Sequence, residues 1–358
     1  MATRSWVAKA GAVSAAFIVV MVVVAVCLAV LLKPHGNKLP PLPPYRTVSL
    51  YDMDTNLPDV NNGLSWARAL DDDPPPTTND WRIPLTLWST GPYTLKSMPA
   101  PLKGALQTWV MSGPVGLRVR WFDDGAARQY VADNFPQYLP EYDVLVPGAF
   151  KADLWRLLVV WREGGVYVDC GNNLVGTPEA LGRLWRQMRA ASIVLADDSN
   201  PLTHSIFQGF FAARPRHPIL AAVIAAVVQN VRNRFYGTDC LDVTGPRIMG
   251  KVVRHFVGRR VWELMQASPI KGHWRPGLFE VGGTDGPNHA VGPILMLDYR
   301  SFLVFGTQKE RVMDTKVPGY YTLVYRKHKR KHYRQLWAER AIYRDDEVYN
   351  QSSGNDEN

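Results

Sequence analysis

Cysteine is nearly missing from this chain: three residues in 358. Cys27 lies in an apolar run, which leaves Cys170 and Cys240. One disulfide is possible; a disulfide framework or a cysteine-spaced metal site is not. Charge is sparse as well, at 20% of residues, and its positive excess is narrowly placed. Of the formal +9, six charges fall between Arg326 and Arg334, where no acid occurs, leaving +3 for everything else. A nucleic-acid binder carries a basic face or stripe; this chain has none spread that way, so no nucleic-acid partner is expected. No residue stands out as a catalytic nucleophile. The single N-glycosylation acceptor pattern, Asn350-Gln351-Ser352, falls in a polar tail.

Against these shortages stands one long apolar run. Ala10 to Leu32 is 23 residues without a charge, about 35 Å as a helix at roughly 1.5 Å per residue and enough to span a bilayer core. A cleaved signal peptide would also follow a basic start such as Arg4 and Lys9. Its apolar core, however, is usually about 7–15 residues and ends at small residues. This run ends Leu31-Leu32-Lys33, so the expectation is an uncleaved signal anchor at 10–32 behind a short tail at 1–9. Lys33, Lys38 and Arg46 balance the basic residues before it, so charge does not orient the span. The bulk of the chain beyond the run argues for a type II protein with its main domain lumenal or outside. Residues 33–80 hold nine of the 27 prolines, including Pro40-Pro41-Leu42-Pro43-Pro44 and Pro74-Pro75-Pro76. Such a segment is an extended spacer, read as a stem; the triplet Asp71-Asp72-Asp73 is read as part of that solvated linker.

From residue 81 to about 345, strand-like and helix-like patterns alternate, predicting an α/β domain with a mostly parallel sheet. Ile83–Trp88 reads as a strand closed by Ser89-Thr90-Gly91-Pro92. Leu117, Val119 and Trp121 alternate with Arg118 and Arg120 in a second, ending at Asp123-Asp124-Gly125. Ala149 to Glu163 is apolar over most of its surface and closed by Gly164-Gly165, a buried helix with a glycine cap. Val166-Tyr167-Val168 then delivers Asp169, and Ser192–Ala196 delivers Asp197-Asp198. In open α/β sheets the ligand crevice lies at the carboxyl ends of strands, and three of these strands end in acid. An aspartate there is also an ordinary turn or cap residue. Asp153 and Arg156, three residues apart, share a face of the helix, and the short Gly-Gly turn makes Asp169 their neighbour. Two carboxylates and a guanidinium suit sugar hydroxyls and phosphate.

The run Ala149-Phe150-Lys151-Ala152-Asp153-Leu154-Trp155-Arg156 followed by Gly164-Gly165-Val166-Tyr167-Val168-Asp169 resembles the sugar-binding region with the DXD motif of glycosyltransferase family 32. Ile83–Trp88, Trp121-Phe122-Asp123-Asp124, Ile206–Phe210, His217-Pro218 and Thr244-Gly245-Pro246 fall in the family's order. The resemblance implies a GT-A fold, a Rossmann-like domain binding a nucleotide-diphosphate sugar with Mn²⁺ or Mg²⁺, in a retaining transferase that glycosylates a hydroxyl on a glycan, protein or lipid. It also implies that Trp88 stacks on the base, that Asp123, Asp124 and Gln208 border the nucleotide sugar, and that Asp153 and Arg156 hold the sugar. Asp169, first acid of the motif, would reach the ribose and metal.

One departure stands in the motif. It reads Asp169-Cys170-Gly171, so the acid expected to bind the metal is a glycine. Asn172, Asn173 or His332 is then the remaining candidate ligand, or the basic run Arg326–Arg334 neutralises the diphosphate in the metal's place. The same departure motivates an alternative, a catalytically silent relative that binds a glycan or nucleotide sugar. Elsewhere Pro218–Phe235 and Lys251–Met265 read as scaffold helices, and Gly282–His289 as a loop that could close over the site. Tyr320, Tyr321, Tyr325, Tyr333, Trp337 and Tyr343 form either an acceptor platform or packing, and residues 346–358 read as a disordered tail.

Overall fold

A computed structural model describes residues 83–198, 205–256, 277–279, 292–326 and 330–344. The expected tail, anchor and stem lie outside the described residues, as do the loop 282–289 and the C-terminal tail. No helix among the described residues is long and apolar enough to cross a membrane.

Strand β1 (Thr86–Gly91) leads through α1 (Ala100–Ser112) to β2 (Arg118–Asp123), which passes directly into α2 (Asp124–Asn134). A short α3 (Leu139–Val144) precedes α4 (Gly148–Glu163), β3 (Gly165–Val168) and the two-residue β4 (Asn173–Leu174). Then come α5 (Pro178–Ala190), β5 (Ile193–Asp198), β6 (Phe210–Ala213), α6 (Pro218–Arg232) and α7 (Pro246–Phe256). Last are β7 (Gly277–Phe279), β8 (Ile294–Arg300), β9 (Leu303–Phe305), β10 (Arg311–Asp314) and a short α8 (Tyr333–Ala338).

The strands form one sheet in the order β2-β1-β3-β6-β5-β8-β9-β10-β4, with β7 also on β8. The α/β class is as expected, but the sheet is mixed rather than mostly parallel. Among the described residues only β1–β2, β1–β3 and β5–β8 pair in parallel; β6 runs against both β3 and β5. A parallel neighbour needs a crossover connection of a dozen or more residues, usually a helix, and the links β5–β6, β8–β9 and β9–β10 are too short for one. Strands β2, β1, β3, β5 and β8 still point the same way, so Asp123, Asp169 and Asp198 emerge at one edge. Because β6 is reversed, with Val168 opposite Phe210, the residues just before it, Gln208 and Gly209, reach that edge too.

Alternation along the strands sorts side chains to two faces. Val166 and Val168 of β3 join Trp109 of α1 and Trp185 of α5 in one buried cluster. Tyr167 points the other way, against Trp155 of α4 and Phe211. Helix α4 is buried on nearly every side, from Phe150 and from Asp153 through Trp161, which anchors its polar pair rigidly. Its end requires glycine. Gly164 has φ 68°, and a Cβ there would lie 2.6 Å from Pro215 and 2.8 Å from Pro84.

Candidate active site

At the carboxyl edge of the sheet, α4 and β3 bring together the three residues that the sequence singles out. Arg156 Nη2 lies 3.0 Å from Asp153 Oδ1 and 3.5 Å from Asp169 Oδ1. The Thr244 hydroxyl donates to Asp153 Oδ2 at 2.7 Å, and the Tyr167 hydroxyl donates to Asp169 Oδ1 at 2.9 Å. The guanidinium also rests 4.7 Å over the Tyr167 ring. The Asp169 amide donates to the Gly209 carbonyl at 2.9 Å. Gly209 permits the close approach, since a Cβ there would stand 2.7 Å from Asp169 Oδ2.

These charges are desolvated unequally. Burial raises the Asp153 carboxyl, offset by the Arg156 charge and the Thr244 hydrogen bond. Asp169 is more open, with a quarter of its side chain exposed. Arg156 spends its donors on protein: Nε on the Ala152 carbonyl at 3.2 Å, Nη1 on the Gln208 carbonyl at 2.9 Å, Nη2 on the two carboxylates. A guanidinium has five N–H groups, so little of the fork remains for a phosphate. The arrangement lets Arg156 fix Asp169 toward solvent while Asp153 compensates the buried charge.

The cluster lines a cleft of about 700 Å³, within the range of small-molecule sites. Asp124, Gln208 and His332 line it as well. Gln208 is almost wholly buried; its amide nitrogen donates to the Gly245 carbonyl at 3.1 Å while Oε1 has no partner among the described residues. Asp124 pairs with Arg330 at 2.7 Å. Trp88 and Asp123 are placed elsewhere. Trp88 is buried beneath α4, its indole N–H donating to the Gly164 carbonyl at 2.8 Å and its ring 6.0 Å from Phe122. Asp123 caps α2 by accepting from the Ala126 amide at 2.9 Å. Asp197 and Asp198, at the third acidic strand end, are absent from the cleft wall. Cys170 and Cys240 are both free, buried thiols.

The residues present do not fit a resident Mn²⁺ or Mg²⁺. A Cβ on Gly171, at the second acid of the motif, would lie 2.5 Å from Tyr320 Cδ2 and 3.2 Å from the Lys316 backbone. Cys170 is a poor substitute, because it is buried and a soft thiolate does not suit these hard ions. Asn172 Oδ1 is buried, and Asn172 is no part of the cleft wall. His332 Nδ1 accepts from the Arg334 amide at 3.2 Å. Among the described residues no three His, Cys, Asp or Glu gather. Asp169 and Asp153 both face the Arg156 guanidinium, whereas a hard divalent ion needs an oxygen-rich set.

Sequence reasoning did not single out Lys151 or Lys316, and left Tyr320 and Tyr321 between two roles. All four line the cleft. For Lys316 and the two tyrosines no local signal exists, since their segment reaches the motif only through the fold, the Val317 amide donating to the Gly171 carbonyl at 2.9 Å.

Residues 99–183 match the family model described as a glycosyltransferase sugar-binding region containing the DXD motif. The chain is also similar to inositol phosphoceramide mannosyltransferase 2 of Schizosaccharomyces pombe, 33% identical over 72 residues. That stretch is 20% of this chain and 21% of the relative. A solved PaToxG glycosyltransferase aligns over 57% of this chain and 84% of its own length, at 15% identity and a TM-score of 0.36. The matched region contains Asp153, Arg156 and Asp169, which meet in one buried cluster on the cleft wall. Over residues 99–183 this chain resembles the sugar-binding region of the DXD-motif glycosyltransferases.

Proposed function

We propose that the protein transfers a hexose from a nucleotide-diphosphate sugar to a hydroxyl of a glycan, protein or lipid, on a GT-A type domain. The observation that carries this reading is the Asp153–Arg156–Asp169 cluster, held on a 700 Å³ cleft at the carboxyl edge of the sheet. Asp169, a quarter of its side chain exposed on the cleft, offers acceptors to sugar or ribose hydroxyls. In the reaction the bond from the anomeric carbon to the β-phosphate oxygen breaks, and its electron pair leaves on the diphosphate. The acceptor oxygen bonds to the same carbon, and its proton passes to the departing phosphate. The barrier is an oxocarbenium-like state, lowered by stabilising the leaving charge and orienting the acceptor. Retention of configuration and tethering through residues 10–32, with the domain lumenal or outside, belong to the same proposal.

The test incubates the purified full chain with UDP- and GDP-linked mannose, galactose and glucose and a mixed acceptor pool, following nucleotide release and glycoside formation. Mannosyl donors come first, given the name of the fission-yeast relative. The absence of both release and binding with every donor would overturn the reading. A second reading, a protein that binds a nucleotide sugar without transferring it, is favoured by the glycine at 171; saturable binding without turnover selects it.

A further inference from the structure

Resting on the transferase reading, the structure points to a leaving group stabilised without a divalent cation. We propose that Lys316, with Arg330 and Lys331, neutralises the departing nucleoside diphosphate in place of the metal, while Tyr320 occupies the space of the missing second acid. Three observations converge. First, the Tyr320 ring stands where any side chain on Gly171 would go, with Cδ2 2.5 Å and Cε2 2.8 Å from a Cβ built there. The position is filled, so substituting the acid alone cannot restore a ligand. Second, Arg156 is engaged by Asp153, Asp169 and two backbone carbonyls and is only 6% exposed. Its role is to position carboxylates, and the phosphate charge must be met elsewhere.

Third, the cleft carries cations in excess. Among the described residues, six lysine and arginine side chains line it against three carboxylates, Asp124, Asp153 and Asp169. Lys316 follows the strand end at Asp314, beside the motif. Its ammonium donates to the Tyr321 hydroxyl at 2.7 Å and rests over the rings of Phe302 and Tyr321. These contacts hold the ammonium at the cleft, where an anion can meet it. Arg330 and Lys331 approach from the other chain segment, each on an exposed carboxylate, Asp124 and Glu339, at 2.7 Å. Exposed pairs of this kind are weak, and a diphosphate offers more charge and bidentate oxygens to an arginine. The bond that breaks and the electron pair that departs are those of the transfer step above; the cations receive the charge and take no proton.

The test uses the full chain stripped with EDTA. Calorimetry with UDP and GDP, with and without Mn²⁺, reads binding directly, and Mn²⁺ paramagnetic resonance reads whether the protein takes up the ion. The expected result is nucleoside diphosphate affinity within twofold in EDTA and in Mn²⁺, an unquenched Mn²⁺ signal, and at least tenfold weaker binding in Lys316→Met. Arg330→Met should weaken binding by a smaller factor, with circular dichroism unchanged in both. Gly171→Asp combined with Tyr320→Ala should acquire Mn²⁺ binding that Gly171→Asp alone lacks. Binding that EDTA abolishes and Mn²⁺ restores overturns this inference and leaves the transferase reading standing. Normal affinity in Lys316→Met and Arg330→Met also overturns it. Nucleotides that bind under neither condition overturn both.

Discussion

Arg156 Nη2 stands 3.5 Å from Asp169 Oδ1, an ion pair that ties the body of helix α4 to the end of strand β3. The guanidinium also faces Asp153 at 3.0 Å, so one buried cation serves two carboxylates of different exposure. A cluster of this kind is costly to build, since desolvation offsets much of the attraction. Its value lies in holding Asp169 at the cleft in one geometry.

Removing that cation leaves Asp153 buried and uncompensated. Arg156→Ala should destabilise the domain by about 3–5 kcal/mol, the range for breaking one partner of a buried pair. Arg156→Met combined with Asp153→Leu should recover much of the loss while transfer stays abolished. Urea unfolding and single-turnover assays on the same preparations separate the two effects. A stable, active Arg156→Ala would remove the pair from both roles.

Trp88 provides a sharper discrimination. Its indole is bonded to the Gly164 carbonyl and packed near Phe122, away from the cleft wall. Trp88→Phe should cost about 1–3 kcal/mol, because it leaves a buried carbonyl unpaired, with the donor KM unchanged. A base-stacking role predicts the reverse, a raised KM with little change in stability.

Gly165 has φ 104°, and any Cβ there would press on the Thr86 carbonyl and lie 2.8 Å from Trp88 Nε1. Both neighbours are fixed by sheet pairing and by the hydrogen bond to Gly164. Gly165→Ala should therefore destabilise by more than the roughly 1 kcal/mol of an ordinary backbone change. The unfolding midpoint reads this, and Gly116→Ala, at φ 87° in open space, is the control that isolates dihedral strain from the clash.

Burial pushes the Asp198 carboxyl from its ordinary value near 3.8 up to about 7, with Lys316 opposing. The unfolded chain ionises this group near pH 4 while the folded chain keeps the proton. Stability should thus fall as pH rises from about 4 to about 7, by roughly 2–4 kcal/mol, and change little from this group beyond that window. Asp198→Asn should flatten the slope in urea midpoints taken at pH 5 and pH 7.5. Equal slopes in both proteins would refute the assignment.

The helix α4, its glycine end and strand β3 were legible in the sequence because everything that specifies them is local. An apolar pattern at helical spacing, two glycines where φ is positive, and three apolar strand residues lie within some twenty positions. Asp153, Arg156 and Asp169 come together through that short path, and the acidic ends of β2, β3 and β5 at one edge follow from strand direction. The mixed sheet was not legible, because β6 enters between β3 and β5 by long-range pairing that leaves no mark in its own four residues.

Whether an aromatic near the site faces ligand or core is likewise a tertiary matter. Trp88 and Leu87 alternate to opposite faces of β1, and only the packing of α4 decides that the Trp88 side is closed. Asp123 and Asp124 adjoin in sequence, yet one caps a helix and the other borders the cleft, since helix α2 starts between them. The glycine in the motif was plain from residue order alone. That Tyr320, far along the chain, fills its space and that Lys316, Arg330 and Lys331 share the same cleft was settled by the fold. Side-chain chemistry near a turn is written locally, whereas the groups that close a cleft arrive from segments whose approach only the packed core determines.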